Sequence, residues 1–236
     1  MRTKALLLTT ALGLVGVAGV SAQSVYSVNA VGYVNVSLLN GFNLIANPLN
    51  GTNNSLNTVI PAAPNNSIIS RWSVQNQGFL AGDTYFEIAP GDPANGWYDA
   101  GFALSSTVIN PGEAFFIQNP GSTTSITFVG EVPQGVALTN KIGANFGFYS
   151  SIVPQSASLL SIGFPGVNNL TYTTWNAASQ GYGSTLTYFE IAPGDPANGF
   201  YDGGFQLTPA IPNVAQGFLI FNPGVSVNWT RSFSVN

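Results

Sequence analysis

An all-β fold of two tandem, homologous β-sandwich or barrel-like units packed together is predicted by three observations. First, the stretch Thr-Tyr-Phe-Glu-Ile-Ala-Pro-Gly-Asp-Pro-Ala-Asn-Gly occurs twice, at 84–96 and at 187–199. The register at an offset of 103 holds without a gap from Asn65/Asn168 to Gly121/Gly224, and 29 of those 57 pairs are identical, including Trp72/Trp175 and Phe115/Phe218. Self-similarity at a fixed period marks a repeated structural unit. Second, apolar and small polar residues alternate in short runs, the period of half-buried strands. Third, turns dense in Gly, Pro and Asn separate those runs, and no amphipathic helical pattern is sustained.

Residues 1–22 read as a secretory signal peptide. Arg2 and Lys4 precede an apolar run from Ala5 to Val20, and Val20-Ser21-Ala22 offers small residues for cleavage. The run is shorter than the roughly 20 residues a spanning helix prefers. The mature chain, 23–236, is therefore expected outside the cytoplasm (periplasm, cell surface or extracellular), with no membrane insertion after cleavage. Its only basic residues are Arg71, Lys141 and Arg231, against nine carboxylates, a net charge of −6. That balance leaves no footprint for nucleic acid or anionic lipid. Export permits disulfides, yet the chain has no cysteine, so stability must come from burial.

The first unit is expected over 23–132. The alternation in 24–38 predicts a strand. Phe42 to Leu49 predicts a second, stopped by Pro48. A polar loop follows, with one helical turn within 53–60. Strands are predicted over 67–74, 78–88, 97–102, 113–118 and 123–132. The second unit, 133–236, repeats the order, opening with strands over 135–139 and 146–153 and closing over 226–235. No linker composition separates the units, which predicts that they pack together or share sheets.

Gly41-Phe42-Asn43-Leu44-Ile45-Ala46-Asn47-Pro48, Trp72, Pro111-Gly112-Glu113-Ala114-Phe115-Phe116 and Thr127-Phe128-Val129-Gly130-Glu131 resemble a known pattern. It is that of uncharacterised secreted bacterial β-repeat proteins, with a "GFNLI–P" strand, a mid-unit Trp and a "PGEAFF" strand before "TFVGE". The resemblance covers most of the first unit and more loosely the second. It implies an extracytoplasmic β module and carries over no catalytic residue.

The repeated loop has three readings. As backbone geometry, Ala89-Pro90-Gly91-Asp92 fits a type II turn, with Asp92 as N-cap, Pro93 at the first helical position and Gly96 past the end of one tight turn. As a calcium site, Glu87, Asp92, Asn95 and Asp99, and again Glu190, Asp195, Asn198 and Asp202, could supply the oxygens a hard cation needs. As a glycan surface, Trp97 and Tyr98, with Phe200 and Tyr201, would stack on sugar rings beside the carboxylates. In this reading Trp72 and Trp175 belong to the core.

Without histidine or cysteine the usual bases, thiol nucleophiles and transition-metal ligands are missing, so a non-enzymatic role is expected. The leading expectation is a secreted structural or surface protein that assembles with copies of itself through β-strand contacts, since so few charges guard its strand edges. The alternative is an extracellular module that binds polysaccharide.

Overall fold

A computed structural model describes residues 30–235; the predicted signal peptide lies outside the described residues. Among the described residues fifteen strands form four antiparallel sheets, with one four-residue helix and one 3-10 turn. No helix among the described residues is long and apolar enough to cross a membrane.

In the first half, β1 (Val31–Leu38) pairs with β8 (Thr124–Glu131) as a two-stranded ribbon. The other strands are β2 (Gly41–Ala46), β3 (Ile68–Ser73), β4 (Gly78–Phe79), β5 (Asp83–Phe86), β6 (Gly96–Tyr98) and β7 (Ala114–Asn119). They form one sheet in the order β2-β7-β3-β5-β6, with β4 paired to β3. The second half has the same plan. β9 (Gly135–Ile142) pairs with β15 (Val227–Phe233). β10 (Asn145–Tyr149), β11 (Thr171–Asn176), β12 (Gly181–Phe189), β13 (Gly199–Tyr201) and β14 (Phe218–Asn222) form a sheet in the order β10-β14-β11-β12-β13.

Each ribbon packs on its own sheet. In the first half Leu38, Ile126 and Phe128 of the ribbon meet Ile45, Ile69, Phe115 and Ile117 of the sheet. In the second, Ile142 and Trp229 meet Tyr172, Phe218 and Ile220. Alternation along β8 sends Ile126 and Phe128 inward and their neighbours to solvent. The expected helical turn is α1 (Leu56–Val59), which buries Leu56 and Val59 in the first core.

The corner between β1 and β2 turns at Gly41, whose φ is +87°. Asn43 pins it, its Nδ2 donating to the Leu39 carbonyl at 2.8 Å and its Oδ1 accepting from the Leu39 N–H at 2.9 Å. The second half solves the same corner differently. Gly147 leaves room for the Tyr149 ring, whose hydroxyl accepts from the Gly143 N–H at 2.8 Å. Buried Asn119 and Asn222 close the following turns, each Oδ1 accepting from the glycine two residues on at 3.0 Å.

The second faces of the two sheets meet each other. Leu44, Ala46, Ala114 and Phe116 of the first half pack on Phe148 of the second, with half-buried Trp72, Trp175 and Leu219 around them. This corrects the expectation that Trp72 and Trp175 are core residues of separate units: both lie at the junction. Their indoles reach across it reciprocally. Trp72 Nε1 donates to the Phe146 carbonyl at 3.0 Å, and Trp175 Nε1 to the Phe42 carbonyl at 2.8 Å.

Candidate functional site

The repeated loops are built by their own side chains. The Asp92 N–H donates to the Ala89 carbonyl at 3.0 Å, and Gly91 takes φ +76°, as a type II turn requires. Asp92 Oδ1 then accepts from the Ala94 N–H at 2.8 Å. Asn95 bridges the loop, accepting from the Ile88 N–H at 2.7 Å and donating to the Ala89 carbonyl at 2.7 Å. The second copy reproduces these bonds through Asp195 and Asn198. The Asn95 N–H donates to the Asp92 carbonyl at 3.0 Å, closing the one tight turn expected there, and Gly96 then opens β6.

Asp99 and Asp202 are occupied in the same way. Asp99 Oδ1 accepts from the Gly101 and Ala103 N–H groups at 2.8 and 3.0 Å, and Asp202 Oδ1 from Gly204 and Gln206 at the same distances. The backbone N–H groups of Glu87 and Glu190 are held by Asn65 and Asn168, while their side chains lie on exposed residues. Among the described residues no three acidic side chains come together in a way that could hold a metal ion. The calcium set Glu87, Asp92, Asn95 and Asp99 therefore does not converge, nor does its copy at Glu190, Asp195, Asn198 and Asp202.

The glycan surface is corrected as well. Trp97 is fully buried and Phe200 is 2% exposed, so neither ring can stack on a sugar. Trp97 Nε1 donates to the Ile60 carbonyl at 2.7 Å inside the first core. Tyr98 and Tyr201 are half-buried and donate to the Ala94 and Ala197 carbonyls at 2.6 Å.

A cleft of about 740 Å³ lies at the junction of the halves. The loop Asn110–Glu113 and Trp72 form one wall, and Thr139, Asn140, Phe148 and Tyr149 of the second half form the other. Its counterpart, about 260 Å³, sets Asn213–Gln216 and Trp175 against Asn35, Val36, Leu44 and Ile45. The same backbone thus makes two clefts, and the side chains at matching places differ.

Glu113 stands where the second cleft has Gln216, and Arg71 where the second half has Thr174. Glu113 Oε1 lies 3.6 Å from Arg71 Nη1. Burial pushes the Glu113 carboxyl above its ordinary range, and Arg71 opposes that rise. Behind this pair, Arg71 Nη2 donates to Thr107 Oγ1 at 3.4 Å, and Thr107 Oγ1 donates to buried Asp83 at 2.8 Å. The second half has Ala210 and Leu186 in place of Thr107 and Asp83, so the polar network belongs to the first half alone. The cleft combines carboxylates, amides and aromatic rings. Sequence reasoning passed over it, although the coincident loss of Arg71, Asp83, Thr107 and Glu113 in the second copy was a readable signal.

Compared with family models, with curated proteins and with solved structures, the chain matches none.

Proposed function

We propose that this chain is a secreted, non-catalytic structural protein, built of two tandem homologous β units over 23–132 and 133–236, that assembles outside the cell through strand contacts. The observation that carries this reading is the outer ribbon of the first half. Among the described residues β1 pairs with β8 and with no other strand. Its outward residues Val31 and Tyr33 are 61% and 72% exposed, and Val129, opposite Tyr33, is 50% exposed. No residue of β1 is charged. A strand edge without charge, paired on one side only, is a template for pairing with another chain.

The sheet edges are treated differently. β2 is bridged by the second half, the Ala46 N–H donating to the Ala215 carbonyl at 2.9 Å and the Gly217 N–H to the Leu44 carbonyl at 3.1 Å. β6 and β13 are covered by their own following residues at Leu104 and Leu207. Protected sheet edges beside an open ribbon direct association to the ribbon.

Light scattering after size exclusion, with electron microscopy of the mature protein, tests this. The expected outcome is concentration-dependent oligomers, sheets or filaments, with Tyr33→Lys returning monomer. A wild-type monomer at every concentration overturns the reading. The second reading, polysaccharide binding, is favoured by the lining of the junction cleft rather than by the repeated loops. A monomer retained on immobilised polysaccharide supports it.

A further inference from the structure

We infer that the second half carries a binding site for an anionic group, a carboxylate or a sulfate, centred on Arg231. The inference is independent of how the chain assembles. Arg231 lies on β15 opposite Leu138 of β9, and Phe128 lies on β8 opposite Val34 of β1. The two positions are 103 residues apart, so Arg231 stands where the first half has a phenylalanine. Phe128 is 1% exposed in the first core, and Arg231 is 9% exposed. An ionised group in such a place is costly unless an opposite charge meets it.

No carboxylate is seen to meet it. The only ion pair among the described residues is Arg71–Glu113, in the other half. Arg231 donates Nη1 to Ser151 Oγ at 3.2 Å and Nη2 to Gln155 Oε1, both neutral acceptors, and its buried Nε has no hydrogen-bond partner. The Phe233 ring lies 5.7 Å from the guanidinium carbon, a contact that favours the cation without neutralising it. Burial lowers the pKa of Arg231, but a guanidinium stays protonated in proteins. A strongly acidic chain therefore places one of its three mature cations inside, without a counter-charge among the described residues.

Arg231 borders a cavity of about 460 Å³ with Gln155, Ser161, Gly163, Thr230 and Ser232, and no acidic residue lines it. A guanidinium has five N–H donors. With Ser151 and Gln155 engaged, each Nη keeps one more N–H. Those two donors suit the paired oxygens of a carboxylate or sulfate, the geometry in which arginine binds most strongly. The anion would come from one of two sources, a small free ion or an acid group on a polysaccharide.

Thermal melts of the mature protein test the site, with sodium acetate, sodium sulfate and oligogalacturonate each titrated against sodium chloride at matched ionic strength. A bound anion should raise the melting midpoint saturably, by about 5–10 °C at a hundredfold excess over Kd. Saturation at far lower concentration with oligogalacturonate than with acetate would identify the polymer as the source; equal concentrations per acid group would identify the small ion. Arg231→Phe restores the residue of the first half, should fold, and should lose the response. If it fails to fold, Arg231→Met replaces it and must lose the response likewise. Midpoints that follow chloride for all three anions, or a response that survives loss of the guanidinium, would overturn the inference.

Discussion

Glu113 shows how one side chain separates the two clefts. Desolvation raises its carboxyl pKa, and Arg71 at 3.6 Å only partly offsets this. A carboxyl whose pKa is higher folded than unfolded stabilises the fold at low pH. That contribution is complete below the unfolded pKa and is lost as pH rises through the folded one. Glu113→Gln, neutral at every pH, lacks the loss. Melting midpoints should therefore shift in favour of the variant as pH rises from the acid range to neutrality, with the gap closing at the acid end. A gap that stays constant with pH would place Glu113 in water. Trp97 shows where single residues were not legible. β6 has only three residues, too few for alternation to set which ring faces inward, so Trp97 was expected on a glycan surface. Trp72 lies on β3 next to Arg71, and its face looked like core because nothing local says that a second sheet covers it.

At the scale of elements, the turn after β3 does what its sequence hides. Gln77 and Gln180 both take left-handed φ, 50° and 51°, a conformation that costs a side-chain-bearing residue energy. Each reaches the edge strand of the opposite half. The Phe146 N–H donates to Gln77 Oε1 at 3.0 Å, and Gln77 Nε2 returns to the Phe146 carbonyl at 2.9 Å. Gln180 does the same at Phe42, at 2.7 and 3.1 Å. A Cβ on Gly41 would lie 2.5 Å from Gln180 Oε1, so that close approach needs glycine. Each amide thus supplies the hydrogen bonds a neighbouring strand would have made. Gln77→Ala should raise amide exchange at Phe146 about tenfold, the worth of one hydrogen bond, and leave Phe42 unchanged. Equal exchange at Phe146 in variant and wild type would show the clasp to be open in solution. The signal was present in the sequence: across 67–83 only Trp72, Gln77 and Gly78 recur 103 residues on, and Trp72 and Gln77 are the residues that cross the junction. The single strand expected over 78–88 was legible only in the second half, as β12. In the first half it breaks between β4 and β5, where Gly82 passes so close to the Ile69 carbonyl that a Cβ would lie 2.9 Å from its oxygen.

For the whole molecule, the junction decides whether the halves unfold as one body. Most strand positions along the chain were readable because alternation and turn residues are local; the order of strands within each sheet and the mutual burial of two sheets depend on surfaces far apart in sequence. Phe116 is the centre of that burial. It is 6% exposed, and its ring meets those of Phe42, Phe79, Phe148 and Trp175 at centroid distances of 5.1–6.1 Å. Trp175 and Phe148 belong to the second half, so the ring ties the two sheets together. It lies on the junction face of β7, while Phe115 and Ile117 point into the first core. Truncating a buried aromatic costs about 3–5 kcal/mol, and here most of that cost should fall on coupling between the halves. Wild type should unfold in denaturant through one transition, seen alike by tryptophan fluorescence and by circular dichroism. Phe116→Ala should separate it into two, because each half keeps its own ribbon-and-sheet core while the shared cluster opens. Phe115→Ala, one residue away on the other face, should instead lower the midpoint of the first half with a comparable total loss. Identical unfolding curves for the two variants would mean that the cores and the junction are one cooperative unit, and that the halves have no stability of their own.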